Sequence, residues 1–286
     1  MPLSHSTATG RLDAPPVLRA VDVAFRYPAR RRPSPTPPAV RGVSLDIPQG
    51  SFTGLLGPNG CGKTTLLKLL SGVLTPDEGT VLLDGRPLAS LGRREVARHI
   101  AVVPQETHPA FDFTCLEMVL MGRHPHLRPF ALEGPDDLAI AREALAATGA
   151  APLADRLFPT LSGGEKQRVV IAAALAQAGE TLLLDEPTAS LDLRFQLEIA
   201  ALLRRLHQDG VTMLLATHDL NLAAALCDRL VLMRDGRVIA DGPTDSVLTA
   251  SAIRALYDVE AEVAHHPAAG HLTVVPVRRS PAPHAE

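Results

Sequence analysis

The stretch Gly57-Pro58-Asn59-Gly60-Cys61-Gly62-Lys63-Thr64-Thr65 constrains this chain more than any other. It fits the spacing G-x-x-x-x-G-K-[ST] and stands between an apolar run, SFTGLL, and KTTLLKLLSGVL, where Leu66, Leu69, Leu70 and Val73 recur at helical spacing. Glycines let successive backbone N–H groups converge on an anion, and the helix N-terminus that follows adds partial positive charge. Between a strand and a helix, such a loop is a phosphate cradle. Lys63 is expected to reach the β- and γ-phosphates of a nucleotide, and Thr64 to offer its hydroxyl to Mg²⁺. Cys61 lies within the loop beside Lys63 and a helix start, both of which lower a thiol pKa, so a reactive thiol protected by ATP is expected there.

The rest of the chain supplies a frame for that loop. Residues 1–17 read as a disordered arm, VLRAVDVAFRYP as a strand, and residues 28–39 as a solvated Pro- and Arg-rich insertion. GVSLDIPQGSFTGLL holds two short strands. From Phe113 to Leu161 the pattern turns helical: Thr114 and Glu117 form a capping box, and GPDDLAIAREALAATG carries start and stop signals. Thereafter strands and helices alternate through TLLLDEP, FQLEIAALLRRLHQDG, VTMLLATHD, LNLAAALCDRL and VLMRDGRVIADG. Alternation with apolar strands predicts an α/β core, a mostly parallel sheet wrapped by helices, interrupted by a helical insert at about 106–160. Residues 246–286 read as a short helix and a flexible tail.

Two of the apolar strands end in groups that complement a phosphate cradle. TLLLDEP ends at Asp185 and Glu186, at the strand end where ligands gather on such sheets. Asp185 can hold Mg²⁺ and Glu186 can polarise an attacking water, and strand alternation would send the two carboxylates to opposite faces. LLATHD ends at His218, whose imidazole could donate to a γ-phosphate or to the water.

LSGGEKQR, residues 161–168, raises a second question. Ser162 and Glu165 have capping-box spacing for a helix from 163 to about 178. A helix N-terminus with exposed glycine amides is also an anion site, so the stretch can both cap a helix and hold a phosphate. As a capping-box member, Glu165 is expected to fold back toward Ser162.

Composition excludes several alternatives. A net charge of −3 supplies no basic field for nucleic acid, and 3% aromatic residues with no Trp leave little to stack on single-stranded bases. The three cysteines, Cys61, Cys115 and Cys227, form no C-x-x-C pair, which argues against a disulfide framework or a four-ligand zinc site and for a reducing compartment. No secretory leader is expected at the N-terminus, and no apolar run reaches the roughly 18 residues of a membrane span. His124, His126, His265 and His266 form no ligand constellation and are expected to be ordinary solvated histidines.

Taken together, GPNGCGKTT, VVPQE, LSGGE, LLLDEPTASLD and ATHD occur in the order and approximate spacing of ABC-type ATPase nucleotide-binding subunits, which the chain resembles over residues 18–245. The resemblance implies a P-loop NTPase (RecA-like) core with an N-terminal antiparallel β subdomain and an inserted α-helical subdomain. It implies that ATP is bound by Gly57–Thr65, with Tyr27, or its competitor Phe25, stacking on adenine. Gln105 becomes the Q-loop glutamine that senses Mg²⁺ and a transmembrane partner, Glu186 the catalytic base and His218 the switch histidine. Thr64, Gln105 and Asp185 become the Mg²⁺ set. Ser162, Gly163, Gly164, Glu165 and, from the D-loop Ser190–Asp192, Asp192 would meet the nucleotide of an opposite subunit. Glu165 departs from the commoner Gln and Ala173 from a frequent Arg, two changes that bear on dimer contacts.

One motif set per chain implies a homodimer. Under a hundred residues separate Lys63 from Leu161, without heptads or paired cysteines, which sets the chain apart from DNA-repair and chromosome-maintenance relatives. VLMGRHPHLRPF, DLNLAAALCDRLVLMRDGRVIADGPTDSVLT and IRALYDVEAEV resemble the importer subunits for iron-siderophores, haem and cobalamin. That likeness implies two membrane permease subunits, an indirect substrate-binding protein, no nucleic acid, and a peripheral place on the cytoplasmic face of the cell membrane. Another cargo, such as zinc, manganese or an exported compound, stays open at this level, with GRHPH then a mere surface turn. So do a nucleotide-gated regulatory module and a non-transport ATPase.

Overall fold

The structure, a computed structural model, describes residues 14–28, 37–178 and 180–279. They form two compact units: one takes the chain up to Pro87 and again from Leu214, the other is Leu88–Met213. The expected N-terminal arm up to residue 13 and most of the Pro/Arg insertion, residues 29–36, lie outside the described residues.

The first unit opens with β1 (Pro16–Phe25), β2 (Val40–Pro48) and β3 (Phe52–Leu56). After the glycine-rich loop come α1 (Lys63–Leu70), β4 (Glu78–Leu83) and β5 (Arg86–Pro87). Strand β1 starts at Pro16, one residue before the arm was expected to end. Helix α1 stops at Leu70, so Val73 lies beyond it and is exposed rather than part of an apolar face. Strands β2, β1, β4 and β5 make an antiparallel sheet in that order. Alternation buries Leu18 and Ala20 from β1, with Val23 buried after a register shift, and Val43, Leu45 and Ile47 from β2.

The second unit contains α2 (Arg93–His99), β6 (Ile100–Val103), α3 (Cys115–Met121), α4 (Pro135–Ala147), α5 (Gly163–Gln177), β7 (Thr181–Asp185) and α6 (Leu193–Gln208). Local signals start these helices. Thr114 and Glu117 form the expected capping box for α3, and Asp137 Oδ2 accepts the Gly134 N–H at 3.1 Å ahead of α4, with Pro135 as its first residue. Helices α3, α4 and α5 share one apolar cluster that includes Val119, Leu145, Phe158, Val169 and Ala172. Burying Phe158 or Leu145 completely is worth about 1.5–3 kcal/mol each relative to exposure. Strands β6 and β7 pair in parallel, Ile100 with Thr181 through Val103 with Leu184.

The chain re-enters the first unit along β8 (Thr212–Thr217), followed by α7 (Leu220–Leu226), β9 (Arg229–Arg234), β10 (Arg237–Pro243), α8 (Thr244–Val247), α9 (Ala250–Tyr257), β11 (Val259–His266) and β12 (His271–Arg279). Within this unit the strand order is β10, β9, β3, β8, and β3 pairs in parallel with β9. Every residue of β3 and β8 is buried, as a strand covered on both faces requires.

The expected flexible tail is corrected as far as Arg279, and residues 280–286 lie outside the described residues. After α9, β11 and β12 form an antiparallel hairpin, with His266 opposite His271 next to its turn. It docks on α7 by backbone mimicry: Asn221 Nδ2 donates to the Val274 carbonyl at 3.2 Å, and Asn221 Oδ1 accepts the Val274 N–H at 2.8 Å. Leu272 and Val274 are buried beneath it. Apolar residues at 272 and 274 read ambiguously in sequence because the partner that covers them lies about fifty residues upstream.

Candidate functional site

In the first unit, the loop after β3 is built by close approach. Gly62 has φ 110°, and a Cβ there would lie 2.2 Å from the Ala39 carbonyl oxygen, so only glycine fits. Lys63 is buried at the start of α1, its Nζ donating to the carbonyls of Gly57 at 2.6 Å and Pro58 at 3.2 Å. A buried ammonium curled over loop carbonyls at a helix N-terminus is a fixed positive centre in the mouth of the loop. Asn59, Gly60 and Thr64 are exposed there.

Tyr27 and Phe25 meet edge-on, ring centroids 5.0 Å apart, but only Tyr27 presents its ring outward: it is 39% exposed, against 8% for Phe25. The Tyr27 hydroxyl lies 3.3 Å from Thr65 Oγ1 in α1, which ties the ring to the helix that begins in the loop. Phe25 belongs to the core. His218 follows β8 at its C-terminal end and is exposed, between buried Thr217 and the Asp219 cap of α7.

Cys61 corrects an expectation. The residue is 5% exposed, and burial pushes its thiol pKa up, outweighing the lowering by the nearby Lys63 ammonium. Adjacency to Lys63 in sequence suggested a reactive thiolate, but it said nothing of how the loop folds over the sulfur.

In the second unit, β7 ends at buried Asp185, and Glu186 is the next residue with φ 47°. That left-handed backbone, uncommon outside glycine, puts Glu186 outside the strand alternation expected to run through it. Gln105 lies exposed just beyond β6. A cavity of about 190 Å³ is lined by Gln105, Phe158, Gly163, Lys166, Gln167, Glu186 and Ser190, among others. The Gln167 Nε2 is buried and has no hydrogen-bond partner among the described residues. Sequence reading passed over Gln167, which carried no signal beyond its place in LSGGEKQR.

Helix α5 begins as its capping box dictates. Glu165 N–H donates to Ser162 Oγ at 3.4 Å, and Glu165 Oε2 accepts from the Ser162 N–H at 2.8 Å and its hydroxyl at 2.9 Å. Arg156 adds a contact to Glu165 Oε1 at 3.2 Å. These hydrogen bonds, first those from the Ser162 N–H and hydroxyl, hold the Glu165 carboxyl below its ordinary pKa. Gly163 is exposed, while a Cβ on Gly164 would lie 2.2 Å from the Phe195 ring of α6. Asp192 caps α6, its Oδ1 accepting the Phe195 N–H at 3.0 Å, and Ser190 and Asp192 are exposed.

One histidine is more than a solvated side chain. His126 is partly buried, its Nε2 2.8 Å from the Gln177 carbonyl oxygen, whereas His124, His265 and His266 are exposed. Among the described residues, no helix is long and apolar enough to cross a membrane.

Comparison with known proteins places this geometry. The family model described as "ABC transporter" matches residues 40–189. The chain is 47% identical over 242 residues to the hemin import ATP-binding protein HmuV of Gloeobacter violaceus, covering 82% of this chain and 87% of the relative. It is 45% identical over 236 residues to the cobalamin import ATP-binding protein BtuD of Halobacterium salinarum, covering 82% of this chain but only 59% of that longer relative. A solved metal-chelate type ABC transporter in an inward-facing conformation superposes with a TM-score of 0.78 at 30% identity, over 92% of this chain and 97% of the other.

Proposed function

The chain belongs to the ABC transporter family, and on that premise we propose that it is the ATP-binding and hydrolysing subunit of an importer for iron(III)-siderophore, haem or cobalamin. The observation that carries the nucleotide half is the buried Lys63 ammonium in the mouth of a loop that only glycine can form at position 62. The cargo half is supported by the names of the hemin and cobalamin relatives. Within that cargo class, the permease and binding protein select the substrate, which never touches this chain.

In this reading the Lys63 ammonium leaves the Gly57 and Pro58 carbonyls for β- and γ-phosphate oxygens, and the Tyr27 ring stacks on adenine. Thr64 in the first unit, and Asp185 and Gln105 in the second, each carry a hard oxygen donor of the kind that would suit Mg²⁺. When bound, Mg²⁺ neutralises phosphate charge. Glu186 accepts a proton as the water oxygen bonds the γ-phosphorus and the bond to the bridging oxygen breaks. His218 donates a hydrogen bond to the γ-phosphate. The Gly163 and Gly164 amides of a second copy, at a helix N-terminus, meet the same γ-phosphate, so each active site needs two chains. Two membrane permease subunits follow the closure of this dimer through the Gln105 loops, on the cytoplasmic face of the cell membrane.

Hydrolysis is tested by Mg²⁺-dependent ATPase assay of the purified chain, and cargo by uptake of labelled siderophore, haem and cobalamin in a deletion strain. Normal uptake of all three in that strain contradicts the cargo assignment.

A further inference from the structure

The carbonyls in the last turn of a helix have no partner within the helix, and α5 has no basic residue of its own in that turn. Its end is instead held from outside. Arg123 Nη1 donates to the Ala176 carbonyl at 2.5 Å, while its Nε pairs with Asp137 Oδ1 at 3.0 Å near the start of α4. His126 Nε2 lies 2.8 Å from the Gln177 carbonyl. The Gln177 side chain then spans to the other side: its Nε2 donates to the carbonyls of Ala97 and Ile100, both at 3.1 Å, where α2 passes into β6. Arg98 in α2 closes the ring, its Nε donating to the Pro125 carbonyl at 2.9 Å. The GRHPH turn, part of a stretch resembling importer subunits and otherwise expected to be a mere surface turn, is thus the hub of a bracket, with Pro125 buried and Arg123 and His126 partly so.

The position of this bracket matters because of what lies at the far ends of the two elements it joins. Strand β6 runs from Ile100 to Val103 and delivers Gln105, and α5 begins with the Ser162-Gly163-Gly164 anion site. We propose that Arg123, His126 and Gln177 are positioning residues that lock α5 to β6, so that the Gln105 loop and the LSGGE end move as one piece. A shift of Gln105 is then carried along two rigid elements to the glycine amides, with no contact needed at the amides themselves. Its bearing on catalysis rests on the reading of this chain as an ATPase; the mechanical claim does not.

The test is hydrogen exchange on the full chain, comparing wild type with Gln177→Ala and His126→Ala, and with Leu145→Ala as a control whose contacts lie in the apolar cluster. The expected result is faster exchange, by about threefold or more, in peptides covering 104–108 and 161–167, far from the substituted side chains. The control, compared at conditions of equal global stability, leaves those two peptides in step with the rest of the unit. Exchange that rises only at 97–101 and 174–178 overturns the proposal, because the bracket would then be a local cap. In ATPase assays the same two variants should lower kcat with KM for ATP within about twofold, and His126→Gln, which keeps a donor, should restore most of it. A chain without ATPase activity would contradict the proposed function, while the exchange pattern would still decide the bracket.

Discussion

Glu165 holds the one proton of the Ser162 hydroxyl, accepting it at 2.9 Å while also accepting the Ser162 N–H at 2.8 Å. A serine hydroxyl has a single O–H, so the same group cannot donate to a phosphate at the same time. Glutamine, the commoner residue at this position of the family, can present an amide N–H to the serine oxygen and leave that proton available. Glu165→Gln should therefore strengthen ATP-driven association of the chain several-fold, read by sedentation or light scattering against ATP concentration, with little change in thermal midpoint. Unchanged association would mean that the Ser162 proton plays no part.

The same contacts set a pH dependence. The folded-state pKa of Glu165 is depressed below its ordinary value of 4.5, so its contribution to stability is fully present above that value. It is lost as pH falls through the lower folded-state value. Glu117, in the equivalent capping box of α3, is depressed for the same reason, first by the Thr114 N–H and then by its hydroxyl. Denaturation midpoints of wild type and Glu165→Ala should thus converge as pH drops below about 4 and stay apart at pH 7, by about 0.5–2 kcal/mol of capping energy.

Cys61 should react slowly with thiol reagents at pH 8, because burial raises its pKa and restricts access. Labelling followed by mass spectrometry should accelerate only with denaturant. Fast labelling that ATP suppresses would restore the reactive-thiolate expectation.

Gly164→Ala should destabilise the second unit by about 1–3 kcal/mol, since the added carbon would press on the Phe195 side chain out to its Cβ. Chemical denaturation measures this, and a neutral result would show that α5 and α6 separate easily. Tyr27→Phe should leave KM for ATP within about twofold, while Tyr27→Ala should raise it by about two- to tenfold, the worth of one aromatic stack.

Much of the site was legible because each motif is local. The helix starts at Thr114, Ser162 and Pro135, and the strands ending at Asp185 and Thr217, follow from a few neighbouring residues. What escaped sequence reading depends on partners distant in the chain. Burial separates exposed Tyr27 from core Phe25 and reverses the sign for Cys61, and neither burial is written in spacing. Asn221 meets Val274 and His126 meets Gln177 across about fifty residues, so an expected tail is a docked hairpin and an expected solvated histidine is part of a helix cap. Glu186 departs from alternation through a single left-handed φ, a tertiary outcome that no residue type announces.

The central claim is that Glu186 is the base for ATP hydrolysis, and the most direct measurement is Mg²⁺-ATP turnover by Glu186→Gln beside wild type. The substitution keeps shape and removes the proton acceptor. Turnover should be lower by about a thousandfold or more, with the dissociation constant for ATP within about threefold of wild type. Turnover within tenfold of wild type would contradict it.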